Sequence, residues 1–300
     1  ARAIRDDGID IVVDLAGHTP GNRLTALARK PAPVALTWLD YFDTTGCEAF
    51  DAIVTDALHT PPGGAQRFAE RCLRVEPLRF CYAPPAYAPE PLPPPAAGGA
   101  GVVFGAFHRN AKLGPGVIRA WARLLARLPG ARLVIKNDAL GDERERAWQG
   151  ERLAVAGLPM ERVELRGASP HPEMLAQYAG IDIALDTFPY NGGITTLEAL
   201  WMGRPVVAVE GETIISRQSA AILRTAGLGE LVARDAAGLV DIAAGLARDP
   251  ARLGALSAGM RGRLAASALC DAAAFTRSLE DAYRRAWRAW CAGEPIGENP

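Results

Sequence analysis

The sequence predicts an α/β fold built on parallel sheets. Short apolar runs recur along the chain, and most of them are closed by a polar or glycine-containing loop. Amphipathic helical patterns separate these runs in the second part of the chain, where Ile118, Trp121, Leu124 and Leu128 recur at helical spacing. Strands that are apolar on both faces and alternate with helices are typical of parallel sheets covered by helices. We therefore predict a doubly wound, Rossmann-like arrangement.

Composition and charge exclude several classes of protein. The 300 residues are 49% hydrophobic, which is enough for one large or two ordinary domains. With 33 basic and 34 acidic residues the net charge is −1, so no overall field favours nucleic acid or an anionic membrane. No apolar run reaches the roughly 18 to 20 residues of a membrane span, and the N-terminus lacks the apolar core of a signal peptide. We predict a soluble, cytoplasmic protein without nucleic-acid or membrane partners.

The cysteines and the first residue give two further expectations. The five cysteines are Cys47, Cys72, Cys81, Cys270 and Cys291. An odd number without CxxC spacing argues against a disulfide framework and against a zinc site, so we predict free thiols and no metal. The chain begins with Ala1 and enters a strand pattern almost at once. We therefore expect it to be a piece of a longer protein.

Residues 1–85 are predicted to be the C-terminal part of a first Rossmann-like domain. Strand patterns lie at 9–15, 34–38 and 52–55, and a helix pattern lies at 23–29. Apolar strands that alternate with polar loops and a helix indicate α/β units. The visible part is short for a complete domain of this kind, so we expect the first domain to be incomplete.

A proline-rich segment divides the chain. Residues 83–100 contain seven of the 23 prolines and then Gly98 and Gly99. Such a segment cannot continue a helix or a central strand. We predict a linker over residues 86–100.

Residues 101–268 are predicted to form a second Rossmann-like domain, and residues 269–300 a C-terminal helix. Trp287 and Trp290 lie at helical spacing in that helix, and such a pair is more typical of a docking surface than of a ligand site. We expect the helix to pack across the domain boundary. The strand patterns of the second domain lie near residues 102–107, 132–136, 162–166, 181–185, 205–209 and 230–233.

The loop after the strand pattern 181–185 is the most informative segment. Asp186 ends the strand, a proline- and glycine-containing loop follows, and Gly193, Ile194, Thr195 and Thr196 lead into an apolar helix. The first N–H groups of a helix have no intrahelical acceptor and lie at the positive end of the helix dipole, so they can hold a diphosphate without a metal. Glycines allow close approach, and threonines can cap the helix or bind oxygen. The alternative is an ordinary strand-loop-helix connection with no ligand.

Two further loops follow strands at the same edge of the predicted sheet. In the first, Arg109 and Lys112 place a guanidinium and an ammonium group in a short turn. Such groups can bind phosphate, but they are also common in turns where charged side chains only face solvent. The second, residues 167–174, contains His171, which alone is more typical of a surface or capping residue. Glu198, one turn into the helix after Thr195, could accept sugar or ribose hydroxyls or merely favour the helix start. Together the three loops predict a pocket.

These segments together resemble the catalytic region of the O-linked N-acetylglucosamine transferases, including the SPINDLY-like bacterial proteins. The similarity runs in unbroken order over roughly residues 1–285. The matching residues are 14–19, 29–34, 37–39, 44–46, 111–113, 169–171 and 182–205. The resemblance implies a metal-independent, inverting glycosyltransferase of the two-Rossmann (GT-B) type that uses a UDP-sugar as donor substrate, without a cofactor. Its acceptors would be serine and threonine hydroxyls of proteins, with the first domain on the acceptor side.

The resemblance also assigns roles to residues. Lys112 and the helix start around Thr195 would bind the donor diphosphate, with Arg109 as a possible helper. Glu198 would hold the ribose, and the loop from Ser169 to His171 would lie against the uracil. Since no metal takes part, Lys112 would also stabilise the diphosphate as it leaves.

Several positions depart from the family pattern. Met174 stands where a histidine usually faces the uracil, and Ile194 replaces a usual threonine. Asp40, Phe42 and Asp43 also differ from the common form, a further sign of a subgroup with another sugar or acceptor. Two alternatives therefore stay open: another GT-B enzyme with a different sugar or a small-molecule acceptor, and a non-catalytic interaction module.

The resemblance further implies sequence upstream of this chain. Family members carry there the start of the first domain, with a histidine important for catalysis, and before it a tetratricopeptide array that recruits acceptors. The sequence leaves open whether these 300 residues are active alone. His18, on a loop of the first domain facing the proposed cleft, is a second candidate catalytic residue beside Lys112.

Overall fold

The structure of the protein, a computed structural model, describes residues 1–99 and 101–299. Ala100, the last residue of the predicted linker, and Pro300, the last residue of the predicted C-terminal segment, lie outside the described residues. The predicted α/β class is confirmed, because helices alternate with strands that pair in parallel in two sheets.

The polypeptide forms two compact units, and neither is one continuous stretch of sequence. The first unit contains Ala1–Tyr82, Glu212–Ile215 and the C-terminal segment that begins at Asp271. The second unit contains Ala83–Gly211 and Ser216–Cys270. The four-residue return to the first unit had no counterpart in the predicted domain boundaries, because so short an excursion leaves no periodic signal in the sequence.

The first unit is built on a four-stranded parallel sheet. Its strands are β1 (Ile11–Asp14), β2 (Val34–Thr37), β3 (Ala52–Thr55) and β4 (Arg71–Arg74), and its helices α1 (Arg2–Asp6), α2 (Leu24–Leu27) and α10 (Ala272–Ala292). The order is β1-β2-β3-β4. The two central strands, β2 and β3, are buried along their whole length, which accounts for their nearly continuous apolar sequence.

The strand β4 is absent from the sequence prediction. Only Cys72 and Leu73 are apolar in it, and Arg71 and Arg74 flank them, so the run is too short and too charged to be recognised. In the structure its outer edge pairs with Glu298: the Cys72 N–H donates to the Glu298 carbonyl at 2.8 Å, and the Glu298 N–H donates back at 2.9 Å. The returning chain thereby covers an edge that would otherwise be open.

The longest helix, α10, closes the core of the first unit. Phe275, Ala282 and Ala286 pack into one cluster with residues of the sheet that include Val34 and Leu36. The rings of Trp287 and Trp290 stack on each other with centroids 5.0 Å apart. The packing of this helix across a domain boundary stays a prediction.

The second unit is built on a six-stranded parallel sheet with the order β10-β9-β8-β5-β6-β7. Its strands are β5 (Val103–Phe107), β6 (Arg132–Lys136), β7 (Val163–Arg166), β8 (Ile183–Leu185), β9 (Val206–Val209) and β10 (Val232–Ala233). All six coincide with strands predicted from the sequence. Its helices are α3 (Pro115–Arg127), α4 (Glu143–Val155), α5 (His171–Gln177), α6 (Ile194–Trp201), α7 (Ile214–Thr225, whose first two residues cluster with the first unit), α8 (Ala236–Ala247) and α9 (Pro250–Ala265).

The strand order places a topological switch point between β5 and β8. The chain runs outward from β5 through β6 to β7, then returns to β8 on the other side of β5 and runs outward again to β10. Ligands of open α/β sheets bind outside the carboxyl ends of the strands at such a point. The loops that leave β5 and β8 therefore lie where a ligand is expected.

Helices cover this sheet through apolar stripes. The predicted helix around Trp121 is confirmed as α3, which buries Ile118, Trp121, Leu124 and Leu125 and starts with a proline in its first turn. Within residues 1–99 and 101–299, no helix combines the length and apolar character needed to cross a bilayer. No disulfide joins any of the cysteines in this part of the chain.

Candidate functional site

Three loops meet at the carboxyl edge of the second unit's sheet. The first leaves β5 and contains a short 3-10 helix, Asn110–Lys112. The second leaves β8 and ends at the start of α6, and the third leaves β7 and ends at the start of α5. The first two are joined directly, because the Lys112 ammonium donates to the Asn191 carbonyl at 2.7 Å. The predicted convergence of these loops is thus present in the structure.

Lys112 lies in a half-buried position between these two loops. Its ammonium nitrogen lies 4.0 Å from the centroid of the Tyr190 ring, a cation–π geometry. Burial lowers the pKa of Lys112, the Asp186 carboxylate raises it and Arg109 lowers it, so that the pKa lies below its usual value. An ammonium has three N–H donors. The bond to Asn191 uses one of them, so the side chain can still donate to an anion.

The loop before α6 is held by hydrogen bonds from within the protein. The buried Asn191 amide donates to the Thr187 carbonyl at 2.8 Å and to the Val209 carbonyl at 3.2 Å. The Gly192 N–H donates to Asp186 Oδ1 at 2.7 Å, and the Ser219 hydroxyl donates to the Gly192 carbonyl at 3.2 Å. The backbone of the loop is therefore fixed without help from a ligand.

Gly192 is a glycine because its neighbours leave no room for a side chain. A Cβ atom there would lie 2.6 Å from Thr196 Oγ1 and 2.8 Å from Thr195 Oγ1. These distances are well below ordinary van der Waals contact, and the loop passes close over the first turn of α6. Any larger residue would move the loop away from the helix start.

The predicted ligand residues at the start of α6 divide into two groups. Gly193 and Thr195 are partly exposed and Ile194 is exposed, so their backbone N–H groups lie at an accessible helix start. Thr196 is buried, and its hydroxyl shares a hydrogen bond of 2.7 Å with the Ser219 hydroxyl. The Thr196 hydroxyl thus supports the loop from inside, an orientation that the sequence pattern did not predict.

A chain of three side chains links the third loop to α6. Glu198 is buried, and its Oε1 lies 2.7 Å from His171 Nε2. The other ring nitrogen of His171 lies 2.8 Å from the hydroxyl of Tyr87. Burial raises the pKa of Glu198, whereas His171 lowers it, and the pKa lies above its usual value. The sequence predicted His171 and Glu198 for one site, and the structure brings them into contact.

The remaining predicted residues lie around this network or apart from it. Ser169 and Met174 are half-buried, and the Ser169 hydroxyl accepts from the Gln177 amide at 3.3 Å. Arg109 is exposed next to Lys112. His18 belongs to the first unit, where its Nε2 lies 2.8 Å from the Thr45 carbonyl. Its catalytic role stays a prediction.

A buried aspartate and a buried histidine lie behind the Lys112 loop. His108 Nε2 lies 3.1 Å from the Leu185 carbonyl and 3.6 Å from Asp186 Oδ1. Burial lowers the pKa of His108 to about 3, with Lys112 acting in the same direction, so the ring is neutral. Burial raises the pKa of Asp186 to about 6, although the Gly192 N–H, the polar groups of Ser219 and Thr187 and the charge of Lys112 oppose this.

Sequence reasoning missed three residues of this region. Asp186 was recognised only as the polar end of a strand, and His108 only as part of a polar turn. Their positions directly after the buried strands β8 and β5 were the available signal. Tyr87 carried no signal, because it lies in the proline-rich segment that was taken for a linker. Among the described residues, no group of three His, Cys, Asp or Glu side chains is arranged to hold a metal ion.

Comparison with known proteins gives one family. The model of glycosyl transferase family 41 matches residues 1–80 and 96–279. The probable UDP-N-acetylglucosamine–peptide N-acetylglucosaminyltransferase SPINDLY of Petunia hybrida is 39% identical over 293 residues, which cover 97% of this chain and 31% of the relative. Its Oryza sativa counterpart is 39% identical over 296 residues, covering 98% and 32%. The chain therefore spans about a third of the length of the curated relatives it matches.

Solved structures agree with this match. A mutant O-GlcNAc transferase from Thermobaculum terrenum is 41% identical with a TM-score of 0.90, covering 97% of this chain and 55% of that one. The lipopolysaccharide outer core galactosyltransferase WaaB is 18% identical with a TM-score of 0.58, covering 94% and 77%, a likeness of fold alone. These likenesses confirm the predicted GT-B fold class and the resemblance found in the sequence.

Proposed function

The chain belongs to glycosyl transferase family 41, and we propose that it forms the donor-binding region of an enzyme that transfers a sugar from a UDP-sugar to serine or threonine hydroxyls of acceptor proteins. The names of the curated relatives make N-acetylglucosamine the first candidate for the sugar. The observation that carries the proposal is the 2.7 Å hydrogen bond from Lys112 to the Asn191 carbonyl. It holds an ammonium group beside the start of α6 at the switch point of the sheet.

The diphosphate of the donor would bind at this place. Lys112 has N–H donors left for it, and the exposed Arg109 lies next to Lys112. The first backbone N–H groups of α6, at Gly193, Ile194 and Thr195, add partial positive charge from the helix dipole. These groups together neutralise two phosphates without a metal ion, and metal independence is part of the proposal.

The nucleoside would lie toward the third loop. Glu198 is the acceptor for ribose hydroxyls, and Ser169, His171 and Met174 form the side that faces the base. Because His171 Nε2 lies 2.7 Å from Glu198 Oε1, a ribose hydroxyl must share or displace this hydrogen bond when it binds. The donor therefore competes with a contact inside the protein, which lowers its affinity but orients the carboxylate.

The proposed reaction is a single displacement with inversion. The acceptor hydroxyl oxygen attacks the anomeric carbon from the face opposite UDP, the bond from that carbon to the β-phosphate oxygen breaks, and the hydroxyl proton passes to a base. Charge develops on the departing diphosphate, where Lys112 and the helix start stabilise it most strongly in the transition state. His18 stays a candidate for a catalytic role, and an upstream tetratricopeptide array stays a candidate for acceptor recruitment.

Two departures from the family pattern favour a second candidate. Ile194 is 62% exposed at the helix start, where family members usually offer a threonine hydroxyl. Met174 likewise offers a thioether in place of an imidazole, and a thioether packs well but hydrogen-bonds weakly. A GT-B enzyme with a different sugar or a small-molecule acceptor fits these changes.

A thermal-shift titration tests donor binding. The protein is titrated in EDTA with UDP, UDP-N-acetylglucosamine, UDP-glucose and GDP-fucose. A specific ligand at 100 times its Kd stabilises the folded state by about 2.7 kcal/mol. We expect UDP and UDP-N-acetylglucosamine to give this shift. Selective stabilisation by another sugar nucleotide would favour the second candidate.

Two lysine variants show where the ligand binds. Lys112→Met is expected to remove most of the shift, because it deletes the ammonium but keeps the length of the side chain. Lys30→Met is the control, since Lys30 pairs with Asp51 in the first unit and is expected to leave the shift unchanged. No shift with any nucleotide, or an unchanged shift in Lys112→Met, would contradict the proposal. Binding without turnover by the protein with its upstream sequence would indicate a non-catalytic module.

A further inference from the structure

A buried carboxylate at the switch point has no role in the reaction described so far. Asp186 follows β8 directly and is 0% exposed. Its Oδ1 accepts from the Gly192 N–H, but its Oδ2 has no hydrogen-bond partner among the described residues. Burying a carboxylate with an oxygen unsatisfied is costly. Its position beside the loops of the candidate site makes Asp186 a candidate for a functional role.

The histidine beside Asp186 does not neutralise it. His108 Nε2 is 3.6 Å from Asp186 Oδ1, but it lies closer, at 3.1 Å, to the Leu185 carbonyl. Burial lowers the pKa of this ring to about 3, so the imidazole is neutral at neutral pH. The full positive charge that interacts with Asp186 is the ammonium of Lys112.

Asp186 therefore acts on the diphosphate site in two ways. It orders the loop through Gly192, the residue that follows the Lys112 acceptor Asn191. It also opposes the loss of the Lys112 proton, which burial and the positive charge of Arg109 both promote. The first effect acts through the loop, and the second is a direct interaction between the two charges.

We propose that Asp186 is a positioning residue of the diphosphate site, whose carboxylate fixes the Gly192 loop and holds the positive charge of Lys112 beside it. This inference rests on the proposed function above. It predicts that removal of the Asp186 charge makes donor binding fail at a lower pH, because Lys112 then loses its proton more easily.

The groups around Lys112 make this pH dependence interpretable. Asp186 and the Tyr190 ring face it from the loop after β8, and Arg109 and His108 from its own turn. His108 is neutral throughout the range, because burial lowers its pKa to about 3. Arg109 and Tyr190 are the same in wild type and in the Asp186 variant. The helix α7 faces the loop with Ser219 and Gln218, which do not titrate. Because these neighbours are unchanged in the variant, a difference between the two pH profiles reports on Asp186 and Lys112.

The test measures Kd for UDP-N-acetylglucosamine from pH 6.5 to 9 in wild type and Asp186→Asn. Asparagine keeps an oxygen for the Gly192 N–H but removes the charge. At pH 6.5 we expect wild type and Asp186→Asn to bind the donor with similar affinity. As the pH rises, the variant should lose affinity at a lower pH than wild type does. At pH 9 its Kd should be up to about tenfold higher if the variant lowers the pKa of Lys112 by one. An unshifted profile, or tighter binding at every pH, would overturn the inference.

Asp182→Asn is the matched control. Asp182 lies just before the same strand, is also 0% exposed, and accepts from the Ala96 N–H at 2.8 Å and the Val103 N–H at 2.7 Å. Asp182→Asn removes an equally buried carboxylate whose hydrogen bonds go to a different part of the backbone. The pH profile of donor binding is therefore expected to match that of wild type. An equal shift in both variants would assign the effect to general destabilisation and overturn the inference.

Two further measurements separate the outcomes. If Asp186→Asn does not fold, Asp186→Glu is used in its place. Glutamate keeps the charge but changes the distance to the Gly192 N–H, so we expect weaker donor binding whose dependence on pH is the same as in wild type. Unchanged affinity would overturn the inference. Donor binding by wild type that Lys112→Met abolishes, together with an unshifted Asp186→Asn profile, would refute this inference alone. Absence of donor binding by wild type would refute the proposed function as well.

Discussion

Each unit buries one aspartate beside a histidine, and the two aspartates differ in how fully they are hydrogen-bonded. In the first unit, Asp56 Oδ1 accepts from the N–H groups of Leu58 and His59, and its Oδ2 accepts from His59 Nδ1 and from the Arg79 N–H. In the second unit, Asp186 keeps one oxygen without a partner among the described residues. Both carboxyl groups are 0% exposed, so burial alone does not distinguish them.

The difference appears in their pKa values. Burial raises the pKa of Asp56, but the hydrogen bonds and charge of His59 and the Arg79 N–H outweigh it, so the pKa lies below its usual value. Burial dominates at Asp186 and raises the pKa to about 6. A fully hydrogen-bonded buried carboxylate stabilises its fold, whereas one with an unpaired oxygen costs stability, which is consistent with the positioning role proposed for Asp186.

The largest expected effect is on Asp56. Asp56→Asn should lower the free energy of unfolding by about 3 to 5 kcal/mol, because His59 and the backbone donors lose a buried anionic acceptor. Urea unfolding of both proteins at pH 7 measures this. A loss below about 1 kcal/mol would show that the four hydrogen bonds to the Asp56 carboxylate do not account for the difference between Asp56 and Asp186.

The next effect concerns the pH dependence of stability at Asp186. Because its folded pKa of about 6 exceeds the unfolded value of 3.8, its contribution is fully present below the unfolded pKa and is lost as pH rises through the folded one. Between about pH 3 and 7, wild type should lose roughly 3 kcal/mol relative to Asp186→Asn. Urea unfolding of both proteins at several pH values measures this difference. If the free energies of unfolding of the two proteins change with pH in parallel, the prediction is wrong.

A smaller effect is expected for the loop that Asp186 holds. Gly192→Ala should destabilise the protein by about 1 to 3 kcal/mol and weaken UDP binding, because its Cβ would meet Thr196 Oγ1 at 2.6 Å. Gly245→Ala is the control: it lies inside α8 with nothing within 4 Å of the added atom, and should be neutral or stabilising by up to about 1 kcal/mol. Thermal melts and UDP titrations separate the two, and equal behaviour would contradict the close packing of the loop.

The smallest effect is expected at Tyr87. Tyr87→Phe removes the hydroxyl that lies 2.8 Å from His171 Nδ1, a partly exposed hydrogen bond worth about 1 kcal/mol. We expect UDP to bind up to about fivefold more weakly, since His171 is less well oriented toward Glu198. An unchanged Kd for UDP would separate Tyr87 from the nucleoside end of the site.

The sequence was sufficient for the sheet of the second unit and for the meeting of its loops. Strands such as 132–136 are apolar enough to be recognised, and the carboxyl ends of parallel strands necessarily share one edge. Charged side chains beside a helix start made Lys112 and Glu198 candidates for binding phosphate and hydroxyl groups, but the residues alone also allowed a solvated turn and a helix-start role, and the family resemblance assigned their functions. Their ligand-binding roles stay predictions.

Other features could not be predicted, because their signal lies in three-dimensional contacts. The strand β4 is held by its neighbour β3 and by Glu298, not by an apolar pattern of its own. The sequence around Thr196 is typical of an exposed residue that caps a helix. In the structure its hydroxyl is hydrogen-bonded to Ser219, which lies more than twenty positions later in the chain. Asp186 reads as an ordinary strand end, since nothing local reveals that one oxygen is left without a partner.

The discontinuous course of the polypeptide decides how the protein can be dissected. The first unit needs residues from both ends of the chain, since Phe275 and Ala286 share a hydrophobic core with Val34. Residues 1–82 expressed alone would lack the longest helix of the first unit, and the apolar residues that pack against it would be exposed. A fragment of the second unit alone should therefore end before Asp271, whereas the first unit requires α10 to be joined to the amino-terminal piece.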